Sequence, residues 1–328
     1  MKVLVTGGTG YVGSKLVPSL LAAGHEVTVY DTCWFSDDVT DNDSLTLVKA
    51  DIRDIDTFRR AVKGHQAVLH LACISNDTAC QLDEHLSTSI NYDAFEPLVV
   101  ASKEAGVGRF VYCSSSSVYG VSEAPDVTED HPLVPLTLYN KYKGMCEPLL
   151  WKHQGPGFTC VTIRPATVCG YAPRMRFDLT VNILTNHAVQ KGVITVFGGE
   201  QRRPNLHIKD MVRAYLAMLG APREKIAGQT FNIGYRNMKV REIAELVKRI
   251  VDFEMDKDVQ IKTEASTDNR SYHVNSDKVK NVLVFEPMFS VEDAVREMCV
   301  HFKLGKWKDS LTNPIYTNIV QYQTEGAK

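Results

Sequence analysis

The chain has 328 residues, 44% of them hydrophobic and 23% charged, with a formal net charge of -2. That is ordinary globular usage with enough apolar side chains for a sizeable core, and the near-neutral balance gives no basis for nucleic acid or an anionic membrane surface as partner. No run of about 18 apolar residues exists, so no membrane span is expected. The eight cysteines are scattered, without C-x-x-C spacing or a histidine cluster, which points to reduced thiols and no metal site. The opening MKVLVTGGTG reads as a strand entering a turn rather than a signal peptide, so a cytoplasmic location is expected.

In chain order, Lys2–Thr6 reads as a buried strand and residues 11–23 as a helix stopped by Gly24. Residues 26–30 and 45–48 read as strands, 54–62 as a helix stopped by Gly64, and 67–71 as a fourth strand. A long helix is expected over 87–105, closed by Gly106. A strand at Arg109–Cys113, a helix over 138–153 and a strand over 158–163 follow. Pro18 and Pro97 fall inside predicted helices and should kink them. Apolar strands alternating with helices signal an α/β fold with a doubly wound parallel sheet. Farther on, residues 177–191, 210–220, 240–251 and 291–301 are helical in pattern, and Val193–Phe197 and Gln229–Ile233 look like strands. The polar tail after Lys306 is expected to be loosely held.

The turn after the first strand, Thr6-Gly7-Gly8-Thr9-Gly10-Tyr11-Val12-Gly13, carries glycines at 7, 10 and 13 between a strand and a helix. Without Cβ atoms the backbone N–H groups can approach a pyrophosphate, and the helix N-terminus favours its charge. Asp31 ends the second strand 18 residues after Gly13. A carboxylate there accepts both ribose hydroxyls and repels a 2′-phosphate, which favours NAD over NADP. Asp51 and Ile52, after the third strand, are placed to meet the adenine, although Asp51 could instead cap the next helix.

Tyr139 and Lys143 stand four residues apart on a predicted helix and so share a face. A cationic Lys143 beside Tyr139 favours phenolate and should lower its pKa towards the range of a useful base. The run Ser114-Ser115-Ser116-Ser117-Val118-Tyr119-Gly120 begins at a strand end, where open parallel sheets bind ligands.

Glycine turn, acidic end of strand two, serine run with Val-Tyr-Gly and Tyr-x-x-x-Lys together resemble the extended short-chain dehydrogenase/reductase family, and within it the NAD-dependent nucleotide-sugar epimerases and dehydratases. The resemblance runs to about Pro287. It implies a Rossmann domain over residues 1–165, with contributions from about 204–234, and a smaller, interleaved substrate domain over 166–328. It implies Tyr139 as general base, Lys143 on the nicotinamide ribose and Ser115 as the catalytic hydroxyl, with Ser114 and Ser116 as rivals. Ser116 is also implied near the substrate. Asn91 is implied near the cofactor ribose and Leu71-Ala72-Cys73 beneath the cofactor. Asn182, Arg203 and Arg270 are implied at the diphosphate of a nucleotide sugar, the guanidinium fork matching phosphate oxygens. His207 is expected to be structural, and Arg174 and Arg176 are further candidates to face the ligand, though the sequence does not place them. A homodimer through a four-helix bundle is implied by the helices over 87–105 and 138–153.

In the resembling 4,6-dehydratases an Asp-Glu pair follows the catalytic hydroxyl; here those positions are Ser116-Ser117. Hydroxyls of ordinary pKa do not serve as that acid and base. C4 epimerisation through a transient 4-keto sugar needs no further group and is the expected reaction. Dehydration, 4-keto reduction and dehydrogenation are the alternatives, and Ser75 or Asn76 is expected to shape the sugar pocket. A dinucleotide-sensing regulator is the non-enzymatic alternative, disfavoured because Tyr139 and Lys143 are both present.

Overall fold

The computed structural model describes residues 1–37, 41–265 and 271–325. Among these residues the strands of the first half are β1 (Lys2–Thr6), β2 (Glu26–Asp31), β3 (Leu45–Lys49), β4 (Ala67–His70), β5 (Arg109–Cys113) and β6 (Thr159–Pro165). Those of the second half are β7 (Thr167–Cys169), β8 (Val193–Phe197), β9 (Arg202–His207), β10 (Gln229–Ile233), β11 (Arg236–Lys239) and β12 (Gln260–Glu264).

Seven strands form one parallel sheet in the order β10-β6-β5-β4-β1-β2-β3. The chain winds outward from β1 to β3, then returns to build outward from β4. The direction of winding therefore switches between β1 and β4, where Thr6 lies beside His70. Ligands bind such sheets at that switch point, beyond the carboxyl ends of the strands. Alternate side chains of β1 enter opposite layers. Val3 and Val5 pack with Leu16, Leu20 and Met211, whereas Leu4 packs with Phe58, Leu98 and Leu150. Burial on both faces explains why these strands read as continuous apolar runs. Beyond the sheet, β11-β9-β7 and β12-β8 form small sheets. The helices Thr180–Lys191, Val240–Met255 and Val291–Lys303 close a third core around Leu184, Val247 and Val295.

Two expectations are corrected. The helix predicted over 87–105 is broken into the end of Glu84–Thr88, a π-helical turn Ser89–Asp93 and Phe95–Glu104, and a further short helix, Asp77–Leu82, precedes it. Pro97 lies in the first turn of the last piece, where backbone N–H groups have no partner within the helix, so its ring is tolerated there. The irregularity sits just before it, in the π turn. The tail after Lys306 is not loose. Trp307 is buried in the third core, and the helix Asn318–Glu325 docks with Tyr322 edge-on to both Trp34 and Phe35 at 5.6 Å. Trp307, Ile319 and Tyr322 give an otherwise polar segment enough apolar surface to bind.

The helix Leu138–Trp151 is fixed to β6 by a buried ion pair, Glu147 to Arg164, at 2.6 Å. Ser114 Oγ donates to Glu147 at 2.6 Å, and Arg164 donates to the Tyr119 hydroxyl at 2.7 Å and the Glu129 carbonyl at 3.0 Å. Glu147→Ala would leave that guanidinium buried without its counter-ion. The expected loss is about 3–5 kcal/mol of stability, read from urea unfolding; a loss below about 1 kcal/mol would show that the pair does not hold the helix.

Candidate active site

A crevice of about 660 Å³ opens over the ends of β1, β2, β4 and β5. Its size is that of a site for a sizeable organic ligand. Gly7, Gly10, Tyr11, Val12 and Gly13 line it, and the glycines are required by close approach. A Cβ on Gly7, at φ +74, would stand 2.7 Å from the Ala72 nitrogen. One on Gly13 would stand 2.4 Å from the Gly7 carbonyl oxygen. The turn is thus pressed against the end of β4, and the helix Gly13–Ala22 points its N-terminus into the crevice, an arrangement that suits a pyrophosphate.

Asp31 lies at the lip. Its two carboxylate oxygens accept from Thr9 N at 3.0 Å and Cys33 N at 2.8 Å, tying the end of β2 to the glycine turn. Asp51 and Ile52 also line the crevice. Asp51 is not the cap of the next helix; Asp54 caps it by accepting from Thr57 N at 3.0 Å, and Asp51 pairs with Arg53 at 2.7 Å. Leu71, Ala72 and Cys73 form the floor. The cradle left open by the glycines and the carboxylate at its lip fit a dinucleotide with a free ribose diol.

Tyr139, Lys143, Ser115, Ser116 and Ser117 face the same space. The helix carrying Tyr139 begins at the cap Thr137, whose hydroxyl donates to Asp77 at 2.5 Å. Lys143 Nζ donates to the Cys113 carbonyl at 2.6 Å and lies 5.8 Å from the Tyr139 ring centre. Ser115 Oγ and Ser117 Oγ are 2.7 Å apart, and Ser117 donates to Asn140 Oδ1 at 2.5 Å. Ser114, though it touches the crevice wall, is engaged with buried Glu147, which sets it apart from Ser115. Burial pushes the Tyr139 phenol well above its ordinary value; Cys73, Cys113 and Cys80 act in the same direction, and Arg176 pulls it down. That net direction is opposite to the lowering expected from Lys143.

Other sites expected from the sequence are placed differently. Asn91 does not line the crevice. It accepts from Ile74 N at 2.8 Å and donates to the Ile74 carbonyl at 2.9 Å, so it braces the loop after β4. Asn182 is fully buried; it accepts from Gly170 N at 3.0 Å and donates to the Tyr11 hydroxyl and the Arg176 carbonyl. Its side chain is used in packing two segments together rather than in the crevice wall. Arg203 does line the crevice, with its guanidinium 5.4 Å from the Tyr272 ring. Arg270 lies outside the described residues. His207 is structural, as expected, its Nδ1 accepting from Lys209 N at the start of a helix.

Arg174 and Arg176, which the sequence leaves unplaced, belong to a polar wall of the crevice whose other members sequence reading missed. Arg176 pairs with Asp178 at 2.9 Å and donates to Ser75 Oγ at 3.0 Å. Asn76 donates to Asp178 at 3.0 Å, so the loop after β4 does reach this wall. Asn318 of the last helix donates to Ser75 Oγ at 2.8 Å. The close grouping of Arg174, Arg176 and Asp178 was the available signal.

Residues 3–234 match the NAD dependent epimerase/dehydratase family. The chain is 29% identical over 310 residues to an uncharacterized UDP-glucose epimerase of Bacillus subtilis, covering 90% of this chain and 96% of that one. It is 27% identical to a dTDP-glucose 4,6-dehydratase of Streptomyces niveus, with 96% of each chain covered. Its fold is similar to that of MoeE5 in complex with UDP-glucuronic acid and NAD, at a TM-score of 0.81 and 25% identity, covering 93% of this chain and all of that one. With glycine turn, Asp31 carboxylate, serine run and Tyr139-Lys143 pair gathered in one crevice, the chain belongs to the NAD-dependent epimerase/dehydratase family and takes NAD as its cofactor.

Proposed function

We propose that the protein epimerises a nucleotide-diphosphate sugar at C4. The observation that carries this reading is the makeup of the serine turn. Ser115 and Ser117 hydrogen-bond to each other and Ser117 to Asn140, and neither Ser116 nor Ser117 offers the carboxylate that dehydration needs beside the catalytic hydroxyl. NAD, held by the glycine turn and Asp31, would supply the hydride acceptor and donor and a positive charge. Tyr139 takes the proton of the C4 hydroxyl as the C4 hydride leaves, Ser115 holds the reacting oxygen, and Lys143 holds the nicotinamide ribose. The 4-keto sugar turns over, regains the hydride on its other face and receives the proton back from Tyr139. Atoms balance, and no external oxidant is used.

In the same reading Arg203 and Arg270 contact the sugar-nucleotide diphosphate, and residues 1–165 with β10 make the cofactor side of the molecule. The enzyme works in the cytoplasm as a homodimer through the helices Phe95–Glu104 and Leu138–Trp151, a reading supported by family resemblance.

Tyr139→Phe should lower kcat by about 10²- to 10⁴-fold while NAD is retained. Because burial raises this phenol, activity should climb with pH as the phenol loses its proton. Lys143→Met removes a nearby positive charge and should move that rise to higher pH, measured as kcat/KM against pH. A rise that stays in place would remove Lys143 from the tuning of Tyr139.

The deciding experiment incubates the purified protein with UDP-glucose, UDP-glucuronic acid or dTDP-glucose in heavy water, without added cofactor, and follows the sugar by NMR. A C4 epimer free of deuterium is expected. Deuterium at C3 or C5, or an accumulating keto sugar, would overturn the epimerase reading in favour of dehydration or release of an oxidised product.

A further inference from the structure

Arg174 and Arg176 are both buried in the crevice wall on the segment after β7, and of these two only Arg176 has a counter-ion. Arg176 is paired with Asp178. Arg174 is 5% exposed and has no carboxylate at ion-pair distance among the described residues. One Nη donates to Asn318 Oδ1 at 2.5 Å, the guanidinium lies 3.8 Å from the Phe35 ring centre, and its buried Nε has no acceptor. A buried, incompletely bonded cation is costly unless an anion meets it. Burial, with Arg176 adding to it, brings the Arg174 pKa down to about 9, the direction expected for a charge lacking its partner.

The position says which anion. Arg174 N donates to Ser14 Oγ at 3.2 Å, in the first turn of the helix that the glycine turn opens. Phe35, which it covers, follows Asp31 by four residues in the loop at the ribose end. The backbone of Arg174 is therefore tied to the first turn of that helix, and its guanidinium lies over Phe35 in the same crevice.

We infer that Arg174 is the counter-charge for the diphosphate of the bound dinucleotide, and that Asn318, on the C-terminal helix, is the positioning residue that holds its guanidinium. The inference rests on NAD being the cofactor. The fork of Arg174 matches phosphate oxygens, and it lines the same crevice as the glycine turn, so both can meet one diphosphate. The last helix thereby becomes part of the cofactor site, 144 residues along the chain from the arginine it orients. A nucleotide sugar also carries a diphosphate, and the test separates the two sources.

Full-length wild type, Arg174→Met, Arg174→Lys and Asn318→Leu are compared for the release rate of labelled NAD and for the affinity of ADP-ribose, adenosine and UDP. Arg174→Met should weaken NAD and ADP-ribose by about 10- to 100-fold, the range for hydrogen bonds to charged groups, and leave adenosine and UDP unchanged. Arg174→Lys keeps the charge without the fork and should recover part of the loss. Asn318→Leu should show the same pattern to a smaller degree. Adenosine, which has no phosphate, reports whether the site remains folded. Unchanged ADP-ribose binding would overturn the assignment, as would a loss confined to UDP, which would give Arg174 to the substrate instead. An equal loss for adenosine would reduce Arg174 to a packing role. A wild type that binds no NAD would remove the cofactor reading itself.

Discussion

The buried pair of Glu147 and Arg164 fixes the geometry on which the rest of the site depends. Glu147 lies one helical turn beyond Lys143, and Arg164 lies on β6, next to the strand that delivers the serine run. Their side chains are 0% and 3% exposed, so both charges have left water almost completely. Desolvation of that kind is offset only when the remaining hydrogen-bonding capacity is filled. Here Ser114, the Tyr119 hydroxyl and the Glu129 carbonyl fill it. The consequence reaches the crevice. With Ser114 engaged inward, the turn carries Ser115 and Ser117 outward, and the helix cannot slide relative to them.

A second constraint works on the cofactor side. Asp31 accepts from the backbone of Thr9 and Cys33, so its carboxylate is held in one orientation at the lip of the crevice. Thr6 Oγ1 bonds to His70 Nδ1 at 2.9 Å across the switch point, locking β1 to β4 beneath the glycine turn. Burial pushes the His70 pKa down to about 3, so the ring stays neutral and packs as an aromatic against Phe95 and Tyr112. Such preorganisation keeps the ordering of these groups out of the free energy of cofactor binding.

What was legible in the sequence follows from the range of the interactions. Strands buried on both faces announce themselves as apolar runs, and the glycine turn and the Tyr139–Lys143 pair are local patterns whose spacing is their meaning. Asn91 and Asn182 were legible as polar residues in helical segments but not in their direction. Both turn inward to satisfy groups outside their own helical turns, Asn91 the backbone of Ile74 and Asn182 that of Gly170 and Arg176 and the distant Tyr11 hydroxyl, and helical spacing does not encode that. The helix over 87–105 read as continuous because its apolar spacing hid a π turn. The strand β9 was hidden because Arg202, Arg203, Pro204 and Asn205 look like a loop, and it forms only because β7 and β11 pair with it on both sides.

The polar wall shows the same logic at its longest range. Ser75 comes from the loop after β4, Arg176 and Asp178 from the segment after β7, and Asn318 from the end of the chain. Each of these groups bonds to another across about a hundred residues or more, as with Ser75 and Asn318, 243 positions apart. The groups proposed to do chemistry sit on or beside sheet strands and on the helix anchored by Glu147. The groups of the wall sit on connections that meet only after the whole chain has closed. Chemistry shared across a family is thereby kept on the rigid sheet, where substitutions are most disruptive to packing. The wall is carried by loops and a terminal helix, which can change without disturbing that sheet.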